Sequence, residues 1–454
     1  MEKLMSSQRN YFNSGVTRQY EFRIKMLKKL KDSIVKCESE IFKALKSDLN
    51  KGELETYTTE IGILYEEINF VIKRLSRFMK PKKVKTALTH MGSSSKIVYE
   101  PFGVCLIIAP WNYPFQLALS PLVGAISAGN TAVIKPSELT PNVSRLINKL
   151  ISESFPEEYI NVVEGAVDVS TELLNQPFDK IFFTGSVPVG KIVMEAAAKH
   201  LTPITLELGG KSPCIVHKDA DLKLAAKRIV FGKFTNAGQT CVAPDYLYIH
   251  KDIKANFLQQ VKTVIKDFYS SNPIENNDYV RIVNKRHFDR LKQFLHDGDI
   301  IIGGDTNEEL LKIEPTVIDN VSWDMPIMDD EIFGPILPVL EFEDIKEVVA
   351  KIVTKPKPLA LYLFTSDAVI DNYVTERISY GGGCINDTLM HVATPYLPFG
   401  GVGPSGLGSY HGEHSFLCFS HAKSVLKQTN LFDMAIKYPN YKNAMKLVKK
   451  FMKP

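Results

Sequence analysis

Up to about residue 80, apolar side chains recur at helical spacing among many charged ones. Ile61, Leu64 and Ile68 follow one another every three to four positions, as do Val71 and Leu75, with Lys and Glu between them. This spacing puts the apolar side chains on one face of a helix. The pattern therefore predicts a helical N-terminal layer.

From residue 104 the pattern changes to short apolar runs that alternate with longer periodic segments. The runs predict strands over 104–108, 131–134, 160–163 and 180–183, and the segments between them predict helices over 117–128 and 143–151. Strands that alternate with helices are typical of a parallel sheet with crossover connections. We therefore expect a doubly wound α/β domain in this part of the chain.

A second alternating series follows residue 207. Its apolar runs predict strands over 247–249, 300–302, 336–340 and 359–364. A chain of 454 residues exceeds what one hydrophobic core usually organises, so a second α/β domain is the simplest account. The stretch 395–408 is rich in Gly and Pro and is expected to be a close-packed loop near the domain junction.

The overall charge gives no reason to expect a nucleic-acid partner, because the formal net charge is only +4. The cluster Lys80, Lys82, Lys83 and Lys85 is more often a solvated loop than a nucleic-acid contact. The six cysteines form no Cys-x-x-Cys pair, which is typical of a reducing compartment. The N-terminus shows no secretion signal, and no stretch reaches the roughly 18 to 20 apolar residues of a membrane span. We expect a cytoplasmic protein.

Candidate chemistry begins at Cys241, which follows the small and polar run 234–240. A thiolate can attack a carbonyl carbon to form a covalent intermediate, and small neighbours leave room for a backbone amide and a water. A free thiol is mostly protonated at neutral pH, so the site must lower its pKa or remove the proton during attack. Glu207, which opens the sequence Glu-Leu-Gly-Gly-Lys, supplies a carboxylate that could activate the water.

The sequence Pro110-Trp111-Asn112-Tyr113-Pro114 contains a candidate oxyanion donor. Between two prolines, Asn112 would ordinarily be a turn residue. Its side-chain amide could instead donate a hydrogen bond to the oxyanion that thiol attack creates. Trp111 and Tyr113 are either walls of the site or plain core aromatics.

These segments resemble the aldehyde dehydrogenase superfamily, and further motifs follow in that family's order. They are Lys-Pro-Ser-Glu at 135–138, Phe-Thr-Gly-Ser at 183–186, Glu-Ile-Phe-Gly-Pro at 331–335 and Pro-Phe-Gly-Gly-Val-Gly at 398–403. The short N-terminus, the run 241–246 and the ending 409–412 resemble the class 3 branch. The resemblance implies NAD(P)-dependent oxidation of an aldehyde, whether medium-chain, long-chain, aromatic or isoprenoid, to its carboxylic acid.

The resemblance also assigns catalytic roles. Cys241 would attack the aldehyde, and the resulting thiohemiacetal would lose hydride to nicotinamide and become a thioester. The Asn112 side chain and the Cys241 backbone amide would hold the oxyanion, and Glu207 would activate the water that hydrolyses the thioester. Relatives that acylate coenzyme A commonly lack this glutamate, which argues against that alternative. A non-catalytic NAD-binding relative is a second alternative, and it predicts the loss of a residue that this chain retains.

For the cofactor, no Gly-x-Gly-x-x-Gly motif follows the first predicted strands. The run 185–190 instead joins a strand to a helix, whose unpaired amides favour a pyrophosphate. Lys135 and Glu138 follow the strand 131–134, and the resemblance places both at the adenosine ribose. A carboxylate there repels a 2′-phosphate and Lys135 offsets the repulsion, so we expect NAD to be preferred and NADP tolerated. The other cofactor contacts implied by resemblance are Ala109, Pro110, Trp111, Gly185, Ser186, Val189, Gly190 and Leu208, with Glu331 on the nicotinamide ribose and Phe333 beside it.

Tyr113, Thr240 and the loop around His391 are expected to shape the substrate entrance. Cys384, Asp387 and His391 have a spacing that a metal could accept, but the sequence has no His-Glu-x-x-His motif and no second cysteine pair. The resemblance places this stretch near the substrate tunnel, and a plain loop is the alternative. We expect no metal.

The resemblance divides the chain into three parts and a tail. The NAD-binding domain would comprise 1–90 and 101–208, the catalytic domain 209–410, and a small β bridging element 91–100 and 411–430, with a strand near 416–425. This element joins subunits in related enzymes, so a homodimer is expected. In the tail 431–454, the apolar residues Ala444, Leu447, Val448, Phe451 and Met452 share one helical face opposite many lysines, Lys453 among them. Such a helix either touches an anionic membrane surface weakly or docks on the partner subunit.

Overall fold

The structure, a computed structural model, describes residues 1–439, 442 and 444–452. The α-helices of this part of the chain are α1 Glu2–Asn13, α2 Tyr20–Leu49, α3 Glu53–Thr56, α4 Gly62–Phe78, α5 Gln116–Ala128, α6 Pro141–Ser154, α7 Val167–Leu174, α8 Val187–Ala198, α9 Leu222–Phe234, α10 Lys254–Tyr269, α11 Lys285–Phe294, α12 Ile345–Val353, α13 Ala368–Arg377, α14 Glu413–Cys418 and α15 Ala444–Phe451. A π-helical turn, Tyr57–Ile61, joins α3 to α4. The predicted helical N-terminal layer is thus confirmed.

The strands fall into two large sheets and two small ones. They are β1 Lys82–Val84, β2 Ser93–Pro101, β3 Val104–Ile108, β4 Thr131–Lys135, β5 Ile160–Val162, β6 Lys180–Thr184, β7 Ile204–Glu207, β8 Pro213–Val216, β9 Tyr246–His250, β10 Asp299–Ile302, β11 Thr306–Asn307, β12 Lys312–Ile313, β13 Thr316–Asp319, β14 Ile336–Phe342, β15 Ala360–Phe364, β16 Gly382–Ile385, β17 Gly406–Leu407 and β18 Ser420–Gln428.

The first large sheet has the order β17-β7-β6-β3-β4-β5 and is parallel except for β17. Every residue of β3, β4 and β6 is buried, as expected when both faces of a parallel sheet are covered. Alternate residues of β3 enter different cores. Cys105 and Ile107 pack with the N-terminal helices, whereas Val104 and Leu106 share a core with α7 and α8. The expectation of a doubly wound sheet is confirmed.

The second large sheet has the order β10-β13-β14-β9-β8-β15-β16. It is parallel except at its edge, where β10 runs antiparallel to β13. The predicted strands of this series are all present, but β8 was not predicted because its four residues, Pro-Cys-Ile-Val, are too short to show a period. β8 nevertheless lies in the middle of the sheet, between β9 and β15.

A three-stranded antiparallel sheet, β1-β2-β18, stands apart from the two large sheets. β18 pairs with β2 along nine residue pairs, from Ser420 opposite Pro101 to Gln428 opposite Ser93. Two expectations are corrected here. The lysine-rich segment is not only a loop, because Lys82–Val84 forms β1, and the predicted strand near 416–425 starts later, because Phe416 lies in α14.

The loop predicted over 395–408 contains one short strand, and this strand links the two halves of the chain. β17 pairs antiparallel with β7, so that Gly406 stands opposite Glu207. The chain therefore returns to the first sheet after completing the second. The boundaries proposed for the three parts stay predictions.

At the C-terminal end, the predicted helix is present as α15, with Met452 directly after it. Lys453 lies outside the described residues. Within the described part of the chain, no helix combines the length and the apolar character needed to cross a membrane.

Candidate active site

The loop that carries the thiol has a strained backbone. After α9 ends at Phe234, Asn236, Ala237 and Gly238 take positive φ angles of 55°, 51° and 70°. A Cβ on residue 238 would overlap the carbonyl oxygen of Gly334, so only glycine fits there. Non-glycine residues with positive φ persist where surrounding contacts hold them, and they cluster at functional sites.

Asn236 supplies those contacts. Its backbone N–H donates to Glu55 Oε1 at 2.8 Å, and its side-chain Nδ2 donates to the carbonyl oxygens of Asn112 (2.9 Å) and Gln239 (3.1 Å). The side chain of Gln239 in turn accepts from the backbone N–H of Val283 at 3.0 Å. The sharp turn before Cys241 is therefore held from several directions.

Cys241 lies partly exposed at the end of this turn. Burial raises the pKa of its thiol, and the carboxylates of Glu331 and Glu207 raise it further, while the backbone N–H groups of Cys241 and Val242 act in the opposite direction. The thiol is therefore protonated at neutral pH in this structure. Attack on a carbonyl requires that its proton be taken up as the S–C bond forms.

The structure brings Asn112 next to the thiol loop. Its buried side chain donates from Nδ2 to the carbonyl oxygen of Gln239 at 3.0 Å. This bond uses one of the two amide hydrogens, which leaves the second for an oxygen of a bound molecule. The oxyanion geometry expected from the sequence is compatible with this placement.

Glu207 ends β7, buried and close enough to raise the pKa of Cys241. Neither of its carboxylate oxygens has a hydrogen-bond partner among the described residues. Burial without a partner penalises the charged form, and it raises the pKa of this carboxyl well above its usual range. A carboxylate in such a position is a strong base once it has lost its proton.

Glu331 is the second carboxylate at the thiol, and its surroundings are polar. Burial and Asp245 raise the pKa of Glu331 to about 8, opposed by the backbone N–H of Gly210 and by Lys211 and Lys233. A Cβ on residue 209 would overlap the Glu331 carboxylate, so Gly209 leaves room for its approach. Glu331 therefore titrates near neutral pH, beside two cations.

Lys233 was not singled out from the sequence. It is fully buried at the end of α9, and its Nζ has no hydrogen-bond partner among the described residues. Burial lowers its pKa to about 8, against the effect of Asp245. The Lys-Phe pair before the thiol loop resembles an ordinary helix end, so only the three-dimensional structure shows this charge behind the site.

The proposed cofactor residues meet at one edge of the first sheet. Ala109, Pro110 and Trp111 follow β3, Lys135 ends β4 and Glu138 follows it, Gly185, Ser186, Val189 and Gly190 follow β6, and Leu208 follows β7. The carboxyl ends of parallel strands are where such folds bind ligands. A cleft of about 570 Å³ extends from this edge to the second sheet, and both Ser186 and Glu331 line it.

Local features at this edge of the first sheet fit a dinucleotide. Ser186 precedes α8 without capping it, so that the first amides of the helix are available to a phosphate. Val189 and Ile192 on α8 are 43% and 58% exposed and offer an apolar surface. Lys135 Nζ donates to Glu138 Oε2 at 2.7 Å, which leaves the second Glu138 oxygen for a hydroxyl group.

Trp111, which follows β3, packs edge-on against Phe333, with ring centroids 5.3 Å apart. The ring of His287, which lies on α11, is also 5.3 Å from the ring of Trp111, centroid to centroid. Arg290 on the same helix lines the cleft and donates to the carbonyl oxygen of Ile332. The sequence did not predict a role for His287 and Arg290, because a charged helix far along the chain gives no signal that it lies beside this cleft.

A cavity of about 210 Å³ reaches Cys241. Tyr113 and Thr240, the predicted substrate residues, both line it, and their hydroxyl groups are joined by a hydrogen bond of 2.6 Å. Their contact with a substrate stays a prediction. Most of the wall is apolar, with Leu117 and Val392 as examples. The aldehyde side of the site therefore lacks the charges of the cofactor side.

One histidine borders this cavity and a second lies near its wall. His411 lines it and stacks on Phe399 with a centroid distance of 5.3 Å, although the sequence did not single it out. His391, the predicted substrate residue, lies behind Phe399 at 6.4 Å and is not among the described lining residues. Burial lowers the pKa of both histidines to about 4, so both are neutral at physiological pH.

The three residues with metal-like spacing do not converge. Cys384 Sγ lies 3.5 Å from His391 Nδ1, but the Asp387 carboxylate faces Arg228 at 4.0 Å. Among the described residues, no group of three or more His, Cys, Asp or Glu side chains is arranged to hold a metal.

Comparison with known proteins gives a consistent result. The model of the aldehyde dehydrogenase family matches residues 2–425. The chain is 48% identical to the 4,4′-diaponeurosporen-aldehyde dehydrogenase of Staphylococcus aureus, over 100% of this chain and 99% of that one. It is 46% identical to aldehyde dehydrogenase family 3 member H1 of Arabidopsis thaliana, over 96% and 92% of the two chains.

Solved structures agree. A substrate-bound state of Staphylococcus aureus AldH superposes with a TM-score of 0.97 at 48% identity, over 99% of each chain. An NAD⁺ complex of an aldehyde dehydrogenase from Bacillus cereus superposes with a TM-score of 0.85 at 26% identity, over 94% of this chain and 88% of that one. The family and class 3 resemblance predicted from the motifs are confirmed. The chain belongs to the aldehyde dehydrogenase family and is an NAD(P)-dependent enzyme that oxidises aldehydes to carboxylic acids.

Proposed function

We propose that the substrate is a long apolar aldehyde, fatty or isoprenoid, and that Cys241, Asn112 and Glu207 perform its oxidation. The observation that carries the proposal is the apolar cavity of about 210 Å³ that ends at the Cys241 thiol. An uncharged chain gains free energy by leaving water for such a cavity. The Staphylococcus aureus relative is named for 4,4′-diaponeurosporen-aldehyde, and we take that aldehyde as the first candidate substrate.

In the proposed first step, the Cys241 sulfur bonds to the carbonyl carbon and the thiol proton passes to a nearby carboxylate. The negative charge moves to the aldehyde oxygen, where the free Asn112 N–H and the Cys241 backbone N–H stabilise it. One such donor is typically worth about 3 kcal/mol of activation free energy. NAD, when bound at the carboxyl edge of the first sheet, would supply the hydride acceptor that this oxidation requires.

In the proposed second step, Glu207 takes a proton from a water molecule that attacks the thioester carbon. The C–S bond then breaks, the carboxylic acid leaves and Cys241 regains its proton. The apolar surroundings of Glu207 support this role, because they make its carboxylate strongly basic. Acylation of coenzyme A is not favoured, because a general base that activates water directs the thioester to hydrolysis.

Glu331 is the second candidate for this base. Its carboxylate raises the pKa of Cys241 more than Glu207 does, which indicates a stronger electrostatic coupling to the thiol. Its pKa of about 8 also lies closer to neutral pH. We assign the base to Glu207 because Glu331 stands among the residues that line the cofactor cleft.

For the partners, we propose a homodimer that forms along β18. This strand is at the edge of its sheet, most of its side chains are exposed, and Leu426 is 51% exposed.

We further propose that NAD is the preferred cofactor and that NADP is tolerated. The Lys135–Glu138 pair supports this proposal. The basic tail after residue 430 is proposed to contact anionic membranes weakly, and co-sedimentation with and without this tail tests it.

The test of the proposed function measures NADH formation with short aliphatic, long-chain, aromatic and isoprenoid aldehydes. Wild type should prefer the long apolar substrates, and Cys241→Ala should lose activity with all of them. Glu207→Gln should accumulate the thioester, which mass spectrometry of the intact protein detects. A preference for short or charged aldehydes would contradict the proposed substrate class.

A further inference from the structure

An ion pair from the N-terminal layer lies beside the proposed oxyanion site, far along the chain from it. Lys51 Nζ and Glu60 Oε1 are 2.6 Å apart, and both side chains are 0% exposed. Charges removed from water are costly unless further hydrogen bonds satisfy them. The remaining contacts of this pair therefore indicate what it holds in place.

Glu60 holds one end of the segment that carries Asn112. Its second oxygen, Oε2, accepts from the backbone N–H groups of Phe115 at 3.0 Å and Gln116 at 3.1 Å. These amides begin α5, and α5 has no capping side chain of its own. The Glu60 carboxylate thus serves as the cap of this helix and fixes where the helix starts.

Lys51 holds the other end of the same segment. Its Nζ donates to the carbonyl oxygen of Asn112 at 3.5 Å and lies 4.4 Å from the ring centroid of Tyr113. The same Asn112 carbonyl accepts from Asn236 Nδ2 at 2.9 Å. The backbone of Asn112 is therefore fixed between the ion pair and the thiol loop.

The local backbone explains how Glu60 reaches this position. It lies in the π-helical turn Tyr57–Ile61, a wider turn that is frequent at functional sites. Glu55, one turn earlier, accepts from the backbone N–H of Asn236 at 2.8 Å. The short stretch 51–60 therefore anchors both the oxyanion segment and the turn before Cys241.

From these contacts we propose that Lys51 and Glu60 are positioning residues that aim the Asn112 amide at the developing oxyanion. The inference rests on the oxyanion role proposed for Asn112. A purely structural ion pair would lower the stability of the fold when changed but would leave the chemistry of the folded enzyme intact. Changing a positioning pair slows only the steps in which an oxyanion forms.

The test compares two reactions of Cys241 in the same protein. Acylation by a p-nitrophenyl ester forms an oxyanion, whereas alkylation by iodoacetamide displaces iodide and forms none. Lys51→Met, Glu60→Gln and the double variant should each slow acylation about 10- to 100-fold, the scale expected when a catalytic group is displaced by about 1 Å. Alkylation should stay within about twofold of wild type, and kcat for NADH formation should fall more than KM changes.

Lys149→Met and Glu40→Gln are the matched controls, because this pair is also joined at 2.9 Å but is about half exposed on the surface. They should change neither reaction. Lys51→Arg, which keeps the charge, should retain more acylation than Lys51→Met. If Glu60→Gln does not fold, Glu60→Asp replaces it, since the charge is kept while its reach is shortened.

Folded variants whose ratio of acylation to alkylation equals that of wild type would overturn the inference. A proportional loss of both reactions would overturn it as well, because that is the result of a general disturbance of Cys241. A wild type that is alkylated but not acylated would contradict the proposed function itself together with the inference. The two failures are therefore distinguishable.

Discussion

The two sides of Cys241 differ in how they handle charge. The cavity that reaches the thiol is apolar, and the two histidines at or near its wall, His411 and His391, stay neutral because burial lowers their pKa to about 4. The cofactor cleft is lined by Lys211, Arg290 and Glu331. Two carboxylates act on the thiol. Glu207 has no hydrogen-bond partner among the described residues, whereas Glu331 lies among cations.

The apolar cavity and the charged cleft suit two different binding tasks, and one environment could not serve both. An apolar wall favours an uncharged chain, whereas charged groups hold a polar cofactor. Charges near the aldehyde would need counter-charges or water, and both would reduce the apolar contact area. The comparison predicts distinct results for changes on the two sides.

The largest effect is expected when each of the two carboxylates is replaced in turn by an amide. Glu207→Gln should slow thioester hydrolysis about 100- to 1,000-fold and accumulate acyl-enzyme, since a general base contributes on this scale. Glu331→Gln should leave hydrolysis of a preformed acyl-enzyme nearly unchanged and weaken NAD binding. Rapid-quench mass spectrometry and NAD titration measure both. If acyl-enzyme accumulates in Glu331→Gln and not in Glu207→Gln, the general base is Glu331.

The next effect concerns Lys233, the buried cation of the charged side. Its folded-state pKa of about 8 lies below the ordinary 10.5, so the unfolded state binds more protons between these values and stability should rise with pH there. Below pH 8 the folded protein carries a charge penalty of about 3 kcal/mol. Lys233→Met should therefore be more stable at pH 7 by up to about that amount, with the difference shrinking toward pH 10.

Urea unfolding at both pH values measures this difference, with the exposed Lys149→Met as control. A less stable Lys233→Met at pH 7 would show that the ammonium has a stabilising partner in solution. In that case the contrast between the two sides would be weaker than the structure indicates.

A smaller effect is expected on the apolar wall. Leu117→Asn buries an amide where the cavity wall is apolar, and kcat/KM for a long-chain aldehyde should fall about 10-fold, in line with the cost of an unsatisfied polar group. Short aldehydes should be affected less, because they need not contact this part of the wall. Leu117→Met keeps the volume and should retain activity. An equal loss for all chain lengths would contradict the assignment of this wall to the chain.

The smallest effect is a pH dependence. The folded-state pKa of His411 is about 4, below the ordinary 6.5, so the unfolded state binds more protons between these values. Stability should therefore decrease as pH falls from about 6.5 toward 4, and His411→Phe should reduce this decrease. Above pH 6.5 His411 should contribute no pH dependence to the KM for the aldehyde. A KM that changes between pH 7 and 8 in wild type but not in His411→Phe would show a charged histidine in the cavity.

Three of the proposed site residues could be singled out from the sequence because local signals accompany them. Cys241, Glu207 and Asn112 stand at strand ends or sharp turns with glycine or proline beside them, and such places have local signals. Lys51 and Glu60 gave none, since lysine and glutamate in a helical region normally face water. Their burial depends on a π-helical turn and on contacts with a segment some 50 residues away.

The sheets show the same limit. The five-residue strands of the first sheet were visible as short, mostly apolar runs, because both of its faces are covered. β8 and β17 are too short to show a period, and β17 joins a sheet formed mostly 200 residues earlier. His411 likewise reaches the cavity through this late part of the chain.

β17 has a consequence for the order in which the enzyme forms. Gly406 lies opposite Glu207, and Leu208 N–H donates to the carbonyl oxygen of Ser405 at 3.1 Å. Until residue 407 has left the ribosome, β7 is an open edge strand, a form prone to pair with other chains. The strand that carries the proposed base therefore stays open until β17, about 200 residues further along the chain, has been made and has paired with it.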